Sequence, residues 1–390
     1  MDLYQSMQNL LLKNKSSGVL RTVTPKLQQG NRIIIDAKSY VNLSSNDYLG
    51  LASDSSLARE FVEKIRGKYI RLSSSGSPLL TGAHLSYARA EAVIEKLFGK
   101  KALFFNSGFS ANSGVIAALG TKDNLILADK LAHASMIDGM NAAEAKFLRY
   151  AHNDYEHLQS LLEKHHDSYD NIIIVTEAVF SMDGDRSDLK RLVELKKQYH
   201  NVYLYVDEAH SFGLFNENGA GLCVQEGVVS DIDFILTTFG KGIGSEGACI
   251  LCNEIARDYL VNTTRSLIFS TALSPFIFEH TAFMLEYMQQ RNDLRERLHR
   301  ISKSVHGVLE ECGFNNVSSS QIIPIITGDN EGAVKAFEYF REHGFYAMPI
   351  RHPTVPLGKS RLRLSLNASL SDDEVIELES TIRGAAALCR

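Results

Sequence analysis

Short, fully apolar segments alternate with amphipathic helical segments from about residue 86 to residue 250, and this alternation is what most constrains the fold. Helical patterns such as "DLKRLVELKKQYH" lie between several of the apolar segments, with leucines three to four residues apart. Strands that are apolar on both faces are typical of a parallel sheet covered by helices on both sides. We therefore predict an α/β fold with a mostly parallel sheet, whose strands include "KALFFN", "NLILA", "NIIIVTEA", "NVYLYVDEA" and "FILTTFG".

The C-terminal part of the chain has a different pattern. A long helical stretch begins at Ser274-Pro275, a favourable helix start. It is followed by strand "QIIPIIT", helix "AVKAFEYFREHG", strands "YAMPIR" and "RLRLSL", and helix "DDEVIELESTIRGAAAL". We expect an N-terminal arm (1–50), a large domain (51–275) and a small α+β domain (276–390) that includes a long bridging helix.

Composition excludes several classes of protein. The 390 residues carry a formal net charge of −5, which favours neither nucleic acid nor an anionic membrane as a partner. The sequence contains no apolar run of eighteen residues, and its start, "MDLYQSMQNLLLKNKSSG", reads as a short amphipathic helix rather than a signal peptide. Five cysteines, Cys389 among them, are an odd and sparse set that favours a reducing compartment, so we expect a cytoplasmic protein.

Cys249 and Cys252 form a C-x-x-C pattern that could indicate redox or zinc chemistry. They lie in "GACILC", which reads as a buried strand and would point the two thiols to opposite faces. Zinc sites of this kind need a second pair of ligands at matching spacing, and the chain has no second cysteine pair of that kind. We therefore expect no metal site.

Polar residues follow each apolar strand. In a sheet of this kind, ligands bind beyond the carboxyl ends of the strands, where these residues would meet. A lysine placed there is costly unless it is paired or bonded. The residues concerned are Ser107, Gly108, Phe109, His133, Ser181, Asp207, His210, Thr238 and Lys241.

Asp207 by itself could simply cap a helix, and "VDEAH" also resembles the acid box of nucleic-acid helicases. The helicase interpretation requires G-x-x-x-x-G-K-[ST] earlier in the chain. The G-K-S at Gly358-Lys359-Ser360 comes after Asp207, and Pro353 stands where the first glycine should be. Both order and spacing therefore argue against a nucleotide-hydrolysing function, and a nucleotide-dependent protein built around "DEAH" is kept as a minor alternative.

Together, the strand-end residues meet the requirements of pyridoxal 5′-phosphate (PLP). That cofactor needs a lysine amine, a carboxylate to hold its ring nitrogen protonated, a phosphate cradle and packing against the ring. Lys241, Asp207, the helix start at 107–109 and His133 supply these four elements.

Nine segments, in order along nearly the whole chain, resemble the α-oxoamine synthases, a family of fold-type I PLP enzymes. The resemblance implies a PLP-dependent transferase with a mostly parallel seven-stranded sheet flanked by helices, plus a small C-terminal α+β domain. The segments are "SSNDYLGL", "SGFSAN", "DKLAHASM", "AHND", "TEAVFSMDGD", "VDEAHSFG", "TTFGKG", "RSLIFSTALSP" and "RHPTVPLGKSRLRLSL".

The resemblance also implies roles around the cofactor. Lys241 would hold the cofactor covalently and act as acid and base, Asp207 would pair with the ring nitrogen, and His210 would bond the phenolic oxygen. His133 would stack on the ring and Ser181 would contact the cofactor. The phosphate would be held by Ser107, Gly108, Phe109 and Thr238, and by Ser270 and Thr271 of the neighbouring subunit in a homodimer with shared sites.

The substrates implied are small molecules. Arg351 would bind the amino-acid carboxylate near Asn46, His133 and Thr354, while Arg21 would face the acyl chain. The loop "TFGKGIGSEGACILC" is similar to the biotin-synthesis branch, which condenses L-alanine with pimeloyl-CoA or its carrier-protein ester and releases CO2. A synthase using glycine or serine with another acyl chain stays open, as does a protein that has kept the fold without the activity.

One dipeptide and two single residues depart from the pattern of the relatives. They are Ser77-Pro78, Glu246 and Leu370, and they leave the acyl specificity open. The sequence does not indicate a role for Ser245-Glu246, which lie in the loop that contains Lys241.

Overall fold

The computed structural model describes residues 2–386, which form two compact units. The larger unit comprises Asn46–Ser181 and Asp185–Arg297. The smaller unit comprises the described residues up to Ser45, Met182–Gly184, and those from Leu298 onward. The sequence-based boundaries at 50/51 and 275/276 stay a proposal. Helix Pro275–Gln289, which they assign to the small domain, lies in the larger unit.

The helices are α1 (Leu3–Ser16), α2 (Ser55–Ile65), α3 (Leu85–Phe98), α4 (Gly108–Leu119), α5 (Ala134–Ala142), α6 (Tyr155–His165), α7 (Leu189–Lys197), α8 (Leu222–Gln225), α9 (Glu254–Thr263), α10 (Arg265–Ile268), α11 (Pro275–Gln289), α12 (Asn292–Glu311), α13 (Asn330–Glu342) and α14 (Asp372–Ala385). The strands are β1 (Leu27–Gln29), β2 (Arg32–Ile35), β3 (Lys38–Asn42), β4 (Lys101–Phe105), β5 (Asn124–Asp129), β6 (Lys146–Tyr150), β7 (Asn171–Glu177), β8 (Val202–Asp207), β9 (Phe234–Thr238), β10 (Ala248–Cys252), β11 (Ile322–Gly328), β12 (Phe345–Tyr346), β13 (Pro349–Ile350) and β14 (Ser360–Ser365).

The larger unit is built on a seven-stranded sheet in the order β4-β10-β9-β8-β7-β5-β6. Strand β10 runs antiparallel to both its neighbours, and the pairs from β9 to β6 are parallel. The predicted mostly parallel sheet is therefore confirmed, including the strand that carries Cys249 and Cys252. The prediction missed edge strand β6, because its exposed residues Lys146 and Arg149 break the apolar pattern.

One face of the sheet packs against α4 and α5. The buried cluster there includes Val115 of α4, Met136 of α5, and Ile126 and Leu236 of the sheet. A Cβ atom on Gly139 would lie 2.9 Å from the backbone oxygen of Asn112, so this glycine lets the two helices approach closely. The close packing fixes the position of α4, whose first two turns face the strand ends.

The smaller unit contains two sheets with helices, as the fold prediction expected of an α+β region. Strands β1, β2 and β3 are antiparallel, with β12 parallel to β3, and β11, β14 and β13 form a second antiparallel sheet. The predicted strand "YAMPIR" is divided between the two sheets as β12 and β13. The buried Arg361 guanidinium lies 2.6 Å from the Asp183 carboxylate, which accounts for the short segment 182–184 in this unit.

The remaining sequence expectations concern helices and cysteines. The long helical stretch after Ser274 is two helices, α11 and α12, separated at Gln290-Arg291. Helix α1 forms as expected and buries none of its side chains. Cys223, Cys249 and Cys252 are buried free thiols, while Cys389 lies outside the described residues. Within residues 2–386, no helix is both long enough and apolar enough to cross a membrane.

His152 joins the loops that follow β5, β6 and β7. Its Nδ1 atom lies 2.9 Å from Asp129 Oδ1, and its Nε2 atom lies 2.7 Å from Asp185 Oδ2. Burial by itself would lower the pKa of His152, but the hydrogen bonds and negative charges of Asp129 and Asp185 outweigh it and raise the pKa to about 10. The "AHND" segment therefore supplies a cation that holds two acidic loops together.

We expect His152→Gln to destabilise the protein by about 3 kcal/mol at neutral pH, because it leaves the fully buried Asp129 and the partly buried Asp185 without their cation. A raised pKa gives stability that is complete below about pH 6.5 and is lost as the pH rises toward about 10. Urea unfolding across that range should show the difference between wild type and variant shrinking with pH. The exposed His200→Gln is the control, and a difference that does not change with pH would contradict the assignment.

Candidate active site

A cavity of about 370 Å³ opens at the carboxyl ends of the parallel strands, a volume typical of small-molecule sites. Strand ends, the loop after β9 and the start of α4 form its wall. Many of the residues predicted from the sequence meet there, namely Asn46, Ser107, Gly108, Phe109, His133, Asp207, His210, Thr238 and Lys241.

Asp207, the last residue of β8, is only 5% exposed and lies in the wall of the cavity. Its Oδ2 atom accepts a hydrogen bond from Asn112 Nδ2 at 2.8 Å, and its Oδ1 atom accepts one from the Ala209 amide at 2.8 Å. Donors of this kind stabilise the charged form of a carboxylate. The cavity therefore has a buried acid equipped to carry a negative charge.

Asn112 connects this acid to His133. Its Nδ2 group also donates to Ser135 Oγ at 3.0 Å, and its Oδ1 atom accepts from the Tyr205 hydroxyl at 2.8 Å. Ser135 Oγ lies in turn 2.7 Å from His133 Nδ1. A single amide on α4 thus links β8 to α5, which holds His133 at its N-terminus.

His133 is placed as a neutral ring. Its Nδ1 atom accepts the Ser135 amide at 3.2 Å, so the neutral ring carries its proton on Nε2. Burial lowers the pKa of His133, the positive charge of Lys241 lowers it further, and the negative charge of Asp207 opposes both effects. An uncharged imidazole suits the ring-packing role expected from the sequence.

His210 and Asn46 are joined by a residue that the sequence analysis did not select. The Tyr48 hydroxyl donates to Asn46 Oδ1 at 3.0 Å and lies 2.7 Å from His210 Nδ1. Tyr48 is completely buried. The sequence signal for Tyr48 was its place in "SSNDYLGL", two residues after the selected Asn46.

The N-terminus of α4 forms one side of the cavity. Ser107 caps the helix by accepting the Ser110 amide at 3.1 Å. The amides of Gly108 and Phe109, in the first turn, have no acceptor within the helix, and they lie at its positive end. A Cβ atom on Gly108 would lie 2.6 Å from the Thr238 methyl carbon, so only glycine fits there. These amides and the Thr238 hydroxyl are suited to bind a phosphate.

Lys241 is half-buried in the cavity wall, in the loop between β9 and β10. Ser245 anchors this loop, because its Oγ atom lies 2.9 Å from both His280 Nδ1 and Thr281 Oγ1 of α11. Glu246, the next residue, is exposed and lines the cavity. Ser245 therefore has a structural explanation, and Glu246 contributes a surface carboxylate to the site.

The other predicted residues lie elsewhere. Ser181 is not among the described residues that line the cavity. Ser270 and Thr271 contact Asn106 in the cavity wall, whose amide donates to Ser270 Oγ at 2.9 Å and to the Thr271 carbonyl at 2.7 Å.

The predicted substrate residues Arg21, Arg351 and Thr354 belong to the smaller unit. Arg21 Nη2 donates to Thr354 Oγ1 at 2.8 Å, and Arg351 Nη1 donates to the Gly18 carbonyl at 2.5 Å. These bonds tie the segment around Arg21 to the loop after β13. The roles expected of the three residues stay predictions.

Two acids of the strand ends have different surroundings. The Glu208 carboxylate in "VDEAH" accepts the amides of Leu222 at 2.9 Å and Cys223 at 2.5 Å, so it caps α8 and has a structural role. Glu177, the last residue of β7, lines the cavity and is almost completely buried. The sequence analysis missed it, although "TEA" ends an apolar strand just as "VDEA" does.

Comparison with known proteins agrees with this geometry. The family profile "Aminotransferase class I and II" matches residues 38–382. A Haemophilus influenzae protein named "Putative 8-amino-7-oxononanoate synthase" is 45% identical over 372 residues, covering 95% of this chain and 97% of that protein.

Two solved structures extend the comparison. A serine palmitoyltransferase from S. paucimobilis with a bound PLP–myriocin aldimine superimposes with a TM-score of 0.90 at 26% identity, covering 100% of this chain and 99% of that one. An 8-amino-7-oxononanoate synthase from Francisella tularensis gives a TM-score of 0.76 at 27% identity, covering 89% and 98% respectively.

The fold and the site together define a fold-type I PLP-dependent enzyme. A lysine, a buried carboxylate with its own donors, a neutral imidazole and a free helix N-terminus fit the chemical groups of PLP. The chain belongs to the aminotransferase class I and II family and, within it, to the α-oxoamine synthases, which are PLP-dependent acyltransferases.

We expect Asn112→Ala to weaken PLP binding at least tenfold, because it removes donors from Asp207 and Ser135 and an acceptor from Tyr205. Because Asp207, Ser135 and Tyr205 would each lose a hydrogen bond in a buried position, we also expect the fold to be destabilised by about 3 kcal/mol. Titration of the cofactor-free protein with PLP, together with thermal unfolding, measures both effects. Asn262→Ala, on an exposed helix face, is the control. Unchanged PLP affinity in Asn112→Ala would show that Asn112 does not organise the site.

Proposed function

We propose that the protein condenses L-alanine with pimeloyl-CoA, or with the pimeloyl thioester of a carrier protein. The products are 8-amino-7-oxononanoate, CO2 and the free thiol, as in biotin synthesis. One observation carries this choice of substrates: a relative named for that product is 45% identical along 95% of the chain. The cavity, which places a lysine near a buried carboxylate, supports the type of chemistry.

PLP, when bound, supplies an electron sink that stabilises negative charge on the carbon next to the substrate's amino group. Lys241 is proposed to attach the cofactor and then to take a proton from that carbon and return one to it. Its amine lies in the cavity wall, where it can be held against the reacting carbon. The contacts of Ser245 with His280 and Thr281 hold the loop that carries Lys241 against α11.

Asp207 is proposed to hold the ring nitrogen protonated by pairing with it. Its Oδ2 atom accepts from Asn112 and its Oδ1 atom from the Ala209 amide, and these two hydrogen bonds would hold the carboxylate in position for that pairing. His133 would pack against the ring face, and His210, whose Nδ1 atom lies beside the Tyr48 hydroxyl, would bond the phenolic oxygen. The first turn of α4 and Thr238 would bind the phosphate. The contact of Ser181 with the cofactor stays a prediction, since Ser181 is not among the described residues that line the cavity.

The substrate carboxylates are assigned to arginines, which bind such groups with two hydrogen bonds. Arg351, with Thr354 and Asn46, is proposed to bind the carboxylate of alanine. Arg21, held by Thr354, is proposed to bind the far carboxylate of the pimeloyl chain. Under this assignment, we expect a dicarboxylic acyl donor to be preferred over a plain fatty acyl chain.

We also propose a cytoplasmic homodimer. Phe109 is 50% exposed in the cavity wall, and Phe269, next to Ser270, is 73% exposed. Exposed apolar side chains of this size beside a site are typical of an interface. In the dimer, Ser270 and Thr271 would reach the phosphate in the partner's site, so each site would need both subunits.

A second candidate is a synthase that uses serine or glycine with another acyl thioester. The observation that favours it is the serine palmitoyltransferase structure, which superimposes over the whole chain with a TM-score of 0.90. The two candidates share the cofactor chemistry and differ only in the substrates.

The test is a coenzyme A release assay that crosses alanine, glycine and serine with pimeloyl-CoA and palmitoyl-CoA. We expect alanine with pimeloyl-CoA to give the highest kcat/KM. Lys241→Ala should keep the fold and the dimer, by circular dichroism and sedimentation, and lose product formation. Turnover of serine with palmitoyl-CoA alone would select the second candidate, and normal turnover by Lys241→Ala would remove that lysine from the mechanism.

A further inference from the structure

Glu177 is an ionisable side chain in the cavity wall that none of the roles above uses. It ends β7 and is paired in register with Asp207 at the end of β8, so two acids stand side by side. Glu177 is 2% exposed, and water therefore cannot stabilise its charge. The presence of this buried acid in the cavity wall therefore needs a functional explanation.

The two acids differ in their hydrogen bonds. Asp207 accepts from Asn112 and from the Ala209 amide, so both its oxygens have donors. Glu177 accepts the Ser181 amide, and among the described residues its buried Oε1 atom has no hydrogen-bond partner. Neighbouring carboxyl groups do not both ionise readily, and the proton goes to the one with fewer donors. The smaller number of donors therefore favours the protonated form of Glu177.

The electrostatic surroundings of Glu177 also favour its protonated form. Burial raises the pKa of Glu177 well above its usual range, and the negative charge of Asp207 raises it further. The positive charge of Lys241 and the Ser181 hydrogen bond act in the opposite direction and are smaller. A protonated carboxyl has an O–H group, which can donate where a carboxylate can only accept.

We propose that Glu177 is a neutral carboxylic acid that donates a hydrogen bond from the cavity wall to an oxygen acceptor of the bound ligand. The acceptor belongs either to the cofactor or to the amino-acid substrate, and both have oxygens that an ionised carboxylate would repel. This inference rests on the proposed function for the identity of the amino acid. It assigns Glu177 a binding role distinct from the charge-pairing role of Asp207.

The test compares Glu177→Gln, which keeps a neutral donor of similar shape, with Glu177→Met, which has none. Infrared difference spectra of holoenzyme, wild type minus Glu177→Gln, should contain the C=O band of a protonated carboxyl at neutral pH. The exposed Glu310→Gln is the control and should leave that band unchanged. A spectrum without the band would mean that Glu177 is ionised, and it would overturn the proposal.

Binding supplies the second readout. We expect Glu177→Gln to bind PLP and L-alanine within about threefold of wild type, and Glu177→Met to lose roughly tenfold for the ligand that accepts the bond. If Glu177→Met binds PLP more weakly, the acceptor belongs to the cofactor. If only its binding of alanine is weaker, the acceptor belongs to the amino acid. Equal losses in both variants, or no loss in either, would contradict a neutral donor. None of these measurements uses an acyl donor, so they stand apart from a failure of the proposed condensation.

Discussion

The site depends on how the buried charge of Asp207 is satisfied. An isolated carboxylate at the end of an apolar strand would take up a proton rather than stay charged. Asn112 donates one of the two hydrogen bonds that the Asp207 carboxylate accepts, and it also bonds Ser135 and Tyr205. The same amide therefore connects the acid to Ser135 and, through Ser135, to His133.

Helix α4 supplies two parts of the site, the amides of its first turn and the side chain of Asn112. Its first turn presents free amides suited to a phosphate, and Asn112, one turn further, faces Asp207. Gly108 and Gly139 allow α4 to lie directly against the end of β9 and against α5. The helix start proposed to bind a phosphate and the amide that bonds Asp207 are thus held on one helix.

Sequence patterns predicted the sheet and the main site residues for a clear physical reason. Buried parallel strands must be apolar along their length, so polar residues directly after them, such as Asp207 and Lys241, stand out. Strand β6 was missed because an edge strand can carry charges. Asn112 and Tyr48 were missed because each bonds a site residue far away in the chain, Asp207 and His210 respectively, and periodicity does not report which polar side chains meet.

Glu177 was missed for another reason. It follows the same strand-end rule as Asp207, but its distinguishing property is that one buried oxygen has no hydrogen-bond partner within residues 2–386. That property belongs to the folded arrangement of β7 and β8 and has no signature in the local sequence. The resemblance to known enzymes likewise identifies the family without explaining why one acid of the pair should hold a proton.

The most direct test of the account is to locate the covalent attachment of the cofactor. The purified protein would be reduced with borohydride and digested, and the phosphopyridoxyl peptide would be identified by mass spectrometry. We predict a single label on Lys241, within the loop that Ser245 anchors to α11. A label on a different lysine, or a protein that takes up PLP without any reducible attachment, would contradict the central claim that this cavity is the PLP site.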